Sequence, residues 1–191
     1  MDIKELQLFT TPVWQVQNEL TDDELQHLTE FAYAAADRWP IDHPVSKRHG
    51  RNSQPLSFNN PILSKILSQS LRAVKHVYEP SVEIMLEKYW ININPPGSYN
   101  VRHTHPRSVL ACTLYLQTPV DSGDLVLYNM NPAQVFAAYS NKQAQYNFTE
   151  YRIKPTPGLF VAFPGWLDHS VDPNNSSADR ISISMNIVTH E

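Results

Sequence analysis

Hydrophobic positions change their spacing near Pro80, and that change divides the predicted elements. Upstream, Leu25, Leu28, Phe31, Ala32 and Ala35 recur at three- and four-residue intervals, which predicts an amphipathic helix over 22–38. TDDE (21–24) stands in front of it as a capping box, with Thr21 as N-cap and Glu24 three residues on. A second helix starts at Asn60-Pro61, an N-cap followed by proline in the first turn. It carries Ile62, Ile66, Leu67, Leu71, Val74 and Val77 and ends before Pro80. LFTTPVWQVQ (8–17) predicts a first strand, and the irregular, proline-broken text of 39–59 predicts a loop.

Downstream the period is two. VEIMLEKYWININ (82–94) alternates with one slip in phase between Leu86 and Tyr89, which predicts a strand with a bulge. PPGSYN is a turn, VLACTLYLQ (109–117) a buried strand, DSG (121–123) a turn, and DLVLYNM (124–130) a strand. Residues 131–150 are aperiodic and predict an insert or lid. YRIKP, GLFVAFP (158–164), the turn-rich GWLDHSVDPNNSSAD and RISISMNIV (180–188) complete the chain. Two helices followed by some seven short strands mean an α+β protein whose strands close as a barrel or a double-sheet jelly roll. We expect one domain over 1–191, with the strand and helices of 1–80 leading into a jelly-roll core at 81–191.

Composition narrows the function classes. The 191 residues carry a net charge of −4, so no electrostatic footprint for nucleic acid is visible. There is neither an apolar leader at the start nor an apolar run long enough to span a membrane, and a cytoplasmic protein is the expectation. Cys112 has no disulfide partner within the chain and reads as a small buried hydrophobe. Nothing fixes the oligomeric state, and a homo-oligomer is open.

The chemistry concentrates in HTHPRS. His103 and His105, at i and i+2 on extended backbone, project to one side. His169 lies in GWLDHSVDP, and Arg180 opens the last strand. A jelly roll can bring these distant strands together, and neutral imidazoles suit iron, zinc or copper. Three ligands on one face of an iron leave open positions for oxygen and a co-substrate. Arg180 can grip a carboxylate with two parallel hydrogen bonds. Ser182 and Asn186 share its face, and Asn92 and Asn94 on the earlier strand can present amides to the same cavity. Each residue alone has a plainer reading: surface histidines, a solvated strand-end arginine, core aromatics at Trp90, Tyr115 and Trp166. His27, His43, His49, His76 and His190 read as surface or capping residues.

The whole pattern resembles the iron(II)/2-oxoglutarate-dependent oxygenases, and within them a small bacterial and phage group with an H-x-H first motif. The matching text is W-x-N-x-N-P-P-G-S-Y-N-x-x-H-x-H-P-x-S (90–108), Y-L (115–116) and S-G-D-L (122–125). It continues with P-x-P-G-L-x-x-x-F-P-x-W-L-x-H-x-V-x-P (155–173) and R-I-S-I-S-x-N from Arg180; LFTTPVW and R-N-S-Q-P (51–55) add N-terminal signatures. The resemblance implies a double-stranded β-helix with N-terminal helices packed on one sheet. It implies Fe(II), 2-oxoglutarate and O2 as cofactor and co-substrates, and hydroxylation of a small-molecule or amino-acid-type substrate. His169 falls at the distal iron ligand, Arg180 with Ser182 at the 2-oxoglutarate carboxylate, and Asn92, Asn94, Tyr115 and Asn186 around them. Most of the superfamily has an acid where His105 stands. Either all three histidines bind iron, or one of the pair does so with a carboxylate such as Asp124, or water, completing the shell. YNMNPA (128–133) also departs from the superfamily's text. The alternatives are a cupin-like metal dioxygenase or isomerase that does not use 2-oxoglutarate, and a non-catalytic jelly-roll binding module.

Overall fold

The computed structural model describes residues 10–41, 46–57, 60–131 and 149–189. Two helices, α1 (Asp22–Arg38) and α2 (Pro61–Tyr78), and eleven strands lie among them. The strands are β1 (Trp14–Gln17), β2 (Lys47–Arg48), β3 (Arg51–Asn52), β4 (Ile84–Asn94), β5 (Tyr99–His103) and β6 (Leu110–Gln117). They continue with β7 (Leu125–Tyr128), β8 (Glu150–Ile153), β9 (Leu159–Pro164), β10 (His169–Val171) and β11 (Arg180–Thr189). A six-stranded sheet in the order β1-β9-β6-β11-β4-β3 faces a five-stranded sheet in the order β2-β5-β10-β7-β8. This is the double-stranded β-helix.

The helices form as their caps dictate. Thr21 Oγ1 accepts from the Glu24 amide at 3.2 Å while Glu24 Oε2 accepts from the Thr21 amide at 3.0 Å, so the capping box is closed. Asn60 Oδ1 accepts from the Leu63 amide at 3.1 Å. Both helices bury their apolar stripes on the outer face of the larger sheet. Leu28, Ala32, Ala35, Leu63, Ile66, Leu67 and Val74 meet Tyr89, Ile91, Ile93, Leu114, Ile181, Ile183 and Met185 there. A fully buried isoleucine such as Ile183 contributes roughly 1.5–3 kcal/mol by this burial. A second, smaller cluster fills one end of the space between the sheets, where Ala111, Tyr115, Val161 and Phe163 meet Leu125, Leu127, Ile153 and Leu167.

The alternation of β4 and β11 positions the site. Tyr89, Ile91 and Ile93, like Ile181, Ile183 and Met185, point toward the helices. Their neighbours Trp90, Asn92 and Asn94, and Arg180, Ser182, Ser184 and Asn186, turn inward and line a cavity between the sheets. The bulge expected in β4 is present: Asn186 pairs with Lys88 and Ile187 with Leu86, leaving Glu87 extra.

Several expectations are corrected. The loop of 39–59 contains β2 and β3, which join opposite sheets, and Pro40 and Leu56 bridge to Ser53 and Tyr89. Two-residue strands have no period, so only their long-range pairing reveals them. Among the described residues of 10–17 the first strand covers only Trp14–Gln17, PPGSYN already enters β5 at Tyr99, and the turn-rich segment before Arg180 holds β10. β7 is shorter than 124–130. The expected lid of 131–150 lies almost wholly outside the described residues, as do His43 and His190. His27, His49 and His76 are exposed, as expected.

Candidate active site

The three histidines meet. β10 pairs with β5 so that His169 lies directly across from His103. β5 ends at His103, so His105 is not on a continuing strand as its spacing implied. It is aimed instead by its own amide, which donates to the Gly165 carbonyl at 2.8 Å, and by Trp90, whose ring stacks on it at 5.9 Å. Gly165 packs closely on the turn that follows His105: a Cβ there would stand 2.3 Å from the Ser108 carbonyl oxygen.

His103 Nδ1 donates to the Val101 carbonyl at 2.8 Å, and His169 Nδ1 donates to the Leu167 carbonyl at 2.9 Å. Each bond fixes the tautomer that leaves Nε2 with a free lone pair. His105 Nε2 lies 3.3 Å from His169 Nε2, and one candidate donor atom from each of the three residues falls within 4.8 Å of the others. A single ion with bonds of about 2.1 Å reaches nitrogens this close. Burial lowers the pKa of all three. His105 falls to about 4 and His169 to about 3, with repulsion from His103 the next cause in both. The Asn186 side chain opposes the fall at His105. The cluster is therefore neutral at physiological pH, the state a metal requires. Among the described residues it consists of these three histidines, and Asp124 is not part of it.

At the other end of the same cavity, of about 350 Å³, Arg180 is 2% exposed. One amino nitrogen of its guanidinium donates to the carbonyls of Ser122 and Gly123, both at 3.2 Å, and its buried Nε has no partner. Gly123 makes that turn possible: its φ is +90°, and a Cβ would stand 2.3 Å from the Asp172 carbonyl oxygen. Among the described residues no carboxylate forms an ion pair with Arg180. Burial lowers its pKa, against the longer-range pull of Tyr115, Asp172 and Asp124. An arginine cannot shed its proton in a protein, so this is a buried cation directed toward a ligand anion. Ser182 is buried beside it, paired in register with Asn92 on one side and Tyr115 on the other. Burial holds the Tyr115 phenol up at about 12, so it remains a hydrogen-bond donor.

The nine residues singled out in the sequence all line this cavity. Tyr115, one of these nine, and Trp90 line the cavity although their plainer reading was core, while Trp166 is 54% exposed. Cys112 is a buried thiol, as expected, and burial pushes its pKa up. The sequence pattern does not single out Lys47, 3% exposed on β2, whose Nζ donates to Asn94 Oδ1 at 2.7 Å. Nor does it single out the Arg102–Asp168 ion pair, which ties the neighbours of His103 and His169 together at 2.6 Å.

Residues 88–186, just over half of the chain, match the family model described as "Putative 2OG-Fe(II) oxygenase". No curated protein matches the chain in sequence. Among solved structures it is similar to a Pseudomonas putida prolyl-4-hydroxylase, at 17% identity and a TM-score of 0.68, with 96% of each chain covered. It is similar to the viral collagen prolyl hydroxylase of Paramecium Bursaria Chlorella virus-1 in a 2OG complex, at 15% identity and 0.63, covering 92% of this chain and 94% of that one. HygX from Streptomyces hygroscopicus, with nickel and 2-oxoglutarate bound, aligns at 11% identity and 0.66 over 94% and 84%. At these identities the structural likeness is one of fold. No helix among the described residues is long and apolar enough to cross a membrane.

Proposed function

The chain belongs to the 2OG-Fe(II) oxygenases, enzymes that use iron(II), 2-oxoglutarate and oxygen, and from that premise we propose that it is a hydroxylase with a three-histidine metal site. His103, His105 and His169 hold the iron, and Arg180 with Ser182 receives the distal carboxylate of 2-oxoglutarate. Asn92, Asn94 and Tyr115 line the co-substrate's path, and Asn186 orients His105. The observation that carries the reading is the pairing within one cavity of three neutral imidazoles, two of them tautomer-fixed, and a buried arginine that no acid pairs with among the described residues.

When bound, iron and 2-oxoglutarate supply the oxidising chemistry: 2-oxoglutarate is converted to succinate and CO2 as an oxygen atom enters a substrate C–H bond. The protein's part is orientation and exclusion of water. The backbone carbonyls of Val101 and Leu167 hold the imidazoles in their ligating tautomer. Three neutral ligands leave the cation's charge to be balanced by the co-substrate. Among the described residues, apart from the histidines and Arg180, the cavity wall carries no ionisable group other than Tyr115 and Cys112, both held protonated by burial. Ile41, Pro55, Trp90 and several side-chain amides make up much of the rest. An uncharged, amide-bearing substrate suits that wall, such as an amino-acid residue within a peptide. The prolyl hydroxylases among the structural neighbours support a substrate of this type.

The test is succinate formation from 2-oxoglutarate by the iron(II)-loaded protein, with short uncharged peptides as the substrate panel. Turnover that requires iron and rises with one of these substrates is expected. Metal-dependent turnover that ignores 2-oxoglutarate would overturn the reading in favour of a cupin-like enzyme.

A further inference from the structure

Two basic side chains are buried in one corner of the fold. Lys47 enters on β2, and Arg180 opens β11 directly across from Asn94 on β4. Asn94, itself fully buried, stands between them. Its Oδ1 accepts from Lys47 Nζ at 2.7 Å, and its Nδ2 donates to Ser98 Oγ at 3.2 Å. Among the described residues the other contact of Lys47 Nζ is the Arg51 carbonyl at 3.5 Å. The corner is built to admit this side chain: a Cβ on Gly50 would stand 2.5 Å from Lys47 Cδ.

Among the described residues, few charged groups face Lys47. Arg180 acts on it from β11. Arg51 turns its guanidinium outward to Asp37, and Arg48 donates to the Lys47 carbonyl. Asp124, Asp172 and Tyr115 act on Arg180 rather than on Lys47. Among the described residues no acid pairs with either cation. Two like charges separated by one carboxamide, in a medium of low polarity, repel strongly. Arginine cannot yield its proton, so relief comes from lysine. Burial first, and Arg180 second, hold the Lys47 amine well below its ordinary pKa.

We propose that Lys47 is a proton-coupled positioning residue for the anion end of the cavity: a dicarboxylate that engages Arg180 binds together with one proton, which resides on Lys47 Nζ. The inference rests on the 2-oxoglutarate reading above. An arriving carboxylate cancels the charge of Arg180, which removes the repulsion and makes protonated Lys47 favourable. The protonated amine in turn holds Asn94 through its Oδ1 and sets the carboxamide against the bound ligand. The base that accepts the proton is the neutral Lys47 amine, and the donor is the buffer. By linkage, 2-oxoglutarate affinity falls as pH rises through the range where Lys47 titrates in the complex, by up to tenfold per pH unit. 2-Oxoglutarate is fully ionised over this range and contributes no proton of its own.

The test is calorimetric binding of 2-oxoglutarate to the manganese-loaded protein without oxygen, between about pH 7 and about pH 9, below the ordinary range of lysine. Two buffers of different ionisation enthalpy give the proton count. Uptake of a substantial fraction of one proton is expected in the wild type, with affinity weakening toward high pH. In Lys47→Met the uptake is lost, the pH profile is flat, and affinity is lower by about tenfold at the acid end, with manganese affinity unchanged. A lysine that merely props the fold would move affinity without changing the proton count. Binding without uptake in the wild type, or the same uptake in Lys47→Met, overturns the inference and leaves the co-substrate assignment standing. The wild-type measurement decides even if the variant does not fold. Absence of any 2-oxoglutarate binding overturns the co-substrate reading itself, and this inference with it.

Discussion

At the histidine end of the cavity the side chains are neutral, and two of the three rings are locked by hydrogen bonds to carbonyls two residues back in their own chain. At the Arg180 end, two basic groups are buried with no acid paired to either among the described residues, and the guanidinium Nε has no partner among them. Burial acts on both ends in the same sense, lowering the pKa of every basic group. The outcomes differ because imidazole can give up its proton near neutrality and guanidinium cannot. One end thus becomes a neutral donor set that suits a cation, and the other keeps a charge that suits an anion. The fold separates the two by Ser182, Ser184 and Asn186 along a single face of β11.

If the ends are independent sites, breaking one should spare the other. His169→Ala removes a proposed ligand that is buried and tautomer-fixed, and should weaken iron(II) or manganese(II) binding by well over a hundredfold. Changing a residue that only supports a ligand already costs about 10–100-fold. Calorimetry of metal binding measures this, and near-native affinity would mean that the triad is not the metal site. Arg180→Ala should raise the Kd of 2-oxoglutarate by about 2–3 kcal/mol, roughly 30- to 150-fold, through loss of a bidentate charged pair. Metal affinity in that variant should remain within about twofold.

A pH experiment sharpens the contrast without a mutation. The folded-state pKa values of His105 and His169 lie below the ordinary histidine value, so the unfolded chain binds protons that the native chain does not. Their contribution to stability is present above about pH 6.5 and is lost as pH falls toward their folded values. Metal-free protein should lose on the order of 2 kcal/mol of unfolding free energy between about pH 6.5 and about pH 5. Denaturant midpoints across that range provide the measurement, and a flat profile would contradict neutral buried histidines.

The two ends also differ in how far the sequence discloses them. His103, His105 and His169 stand in motifs dense with turn residues, and the two-residue alternation of RISISMN alone puts Arg180, Ser182 and Asn186 on one face. The helix caps are equally readable, because a capping box is local chemistry. Lys47 is not readable. In SKRHGRN it looks like one more solvated lysine, and nothing within ten residues announces its burial. That burial is created by partners far away in sequence, Asn100 through β-pairing and Asn94 through its carboxamide. Trp90 and Tyr115 pose the same problem in reverse. An inward-facing aromatic on a strand reads as core, and only the polar residues around it on the assembled sheet show that it faces a cavity. The place of His105 beyond the end of β5 is hidden too, since spacing alone cannot show where a strand stops.

Ser182 provides the finest test of the division. Its buried hydroxyl lies one pleat from Arg180 on β11, in register with Tyr115, while Ser184, the next inward residue, accepts from Asn92 Nδ2 at 2.8 Å. A hydroxyl directed at a carboxylate contributes about 1 kcal/mol, so Ser182→Ala should raise the 2-oxoglutarate Kd about fivefold. The effect should vanish in an Arg180→Ala background, because the carboxylate is then no longer held where the hydroxyl can reach it. Metal affinity should be unchanged in both. Equal effects of Ser182→Ala with and without Arg180 would place the hydroxyl's partner elsewhere in the cavity. The anion end would then extend further toward the histidines than the charge distribution alone implies.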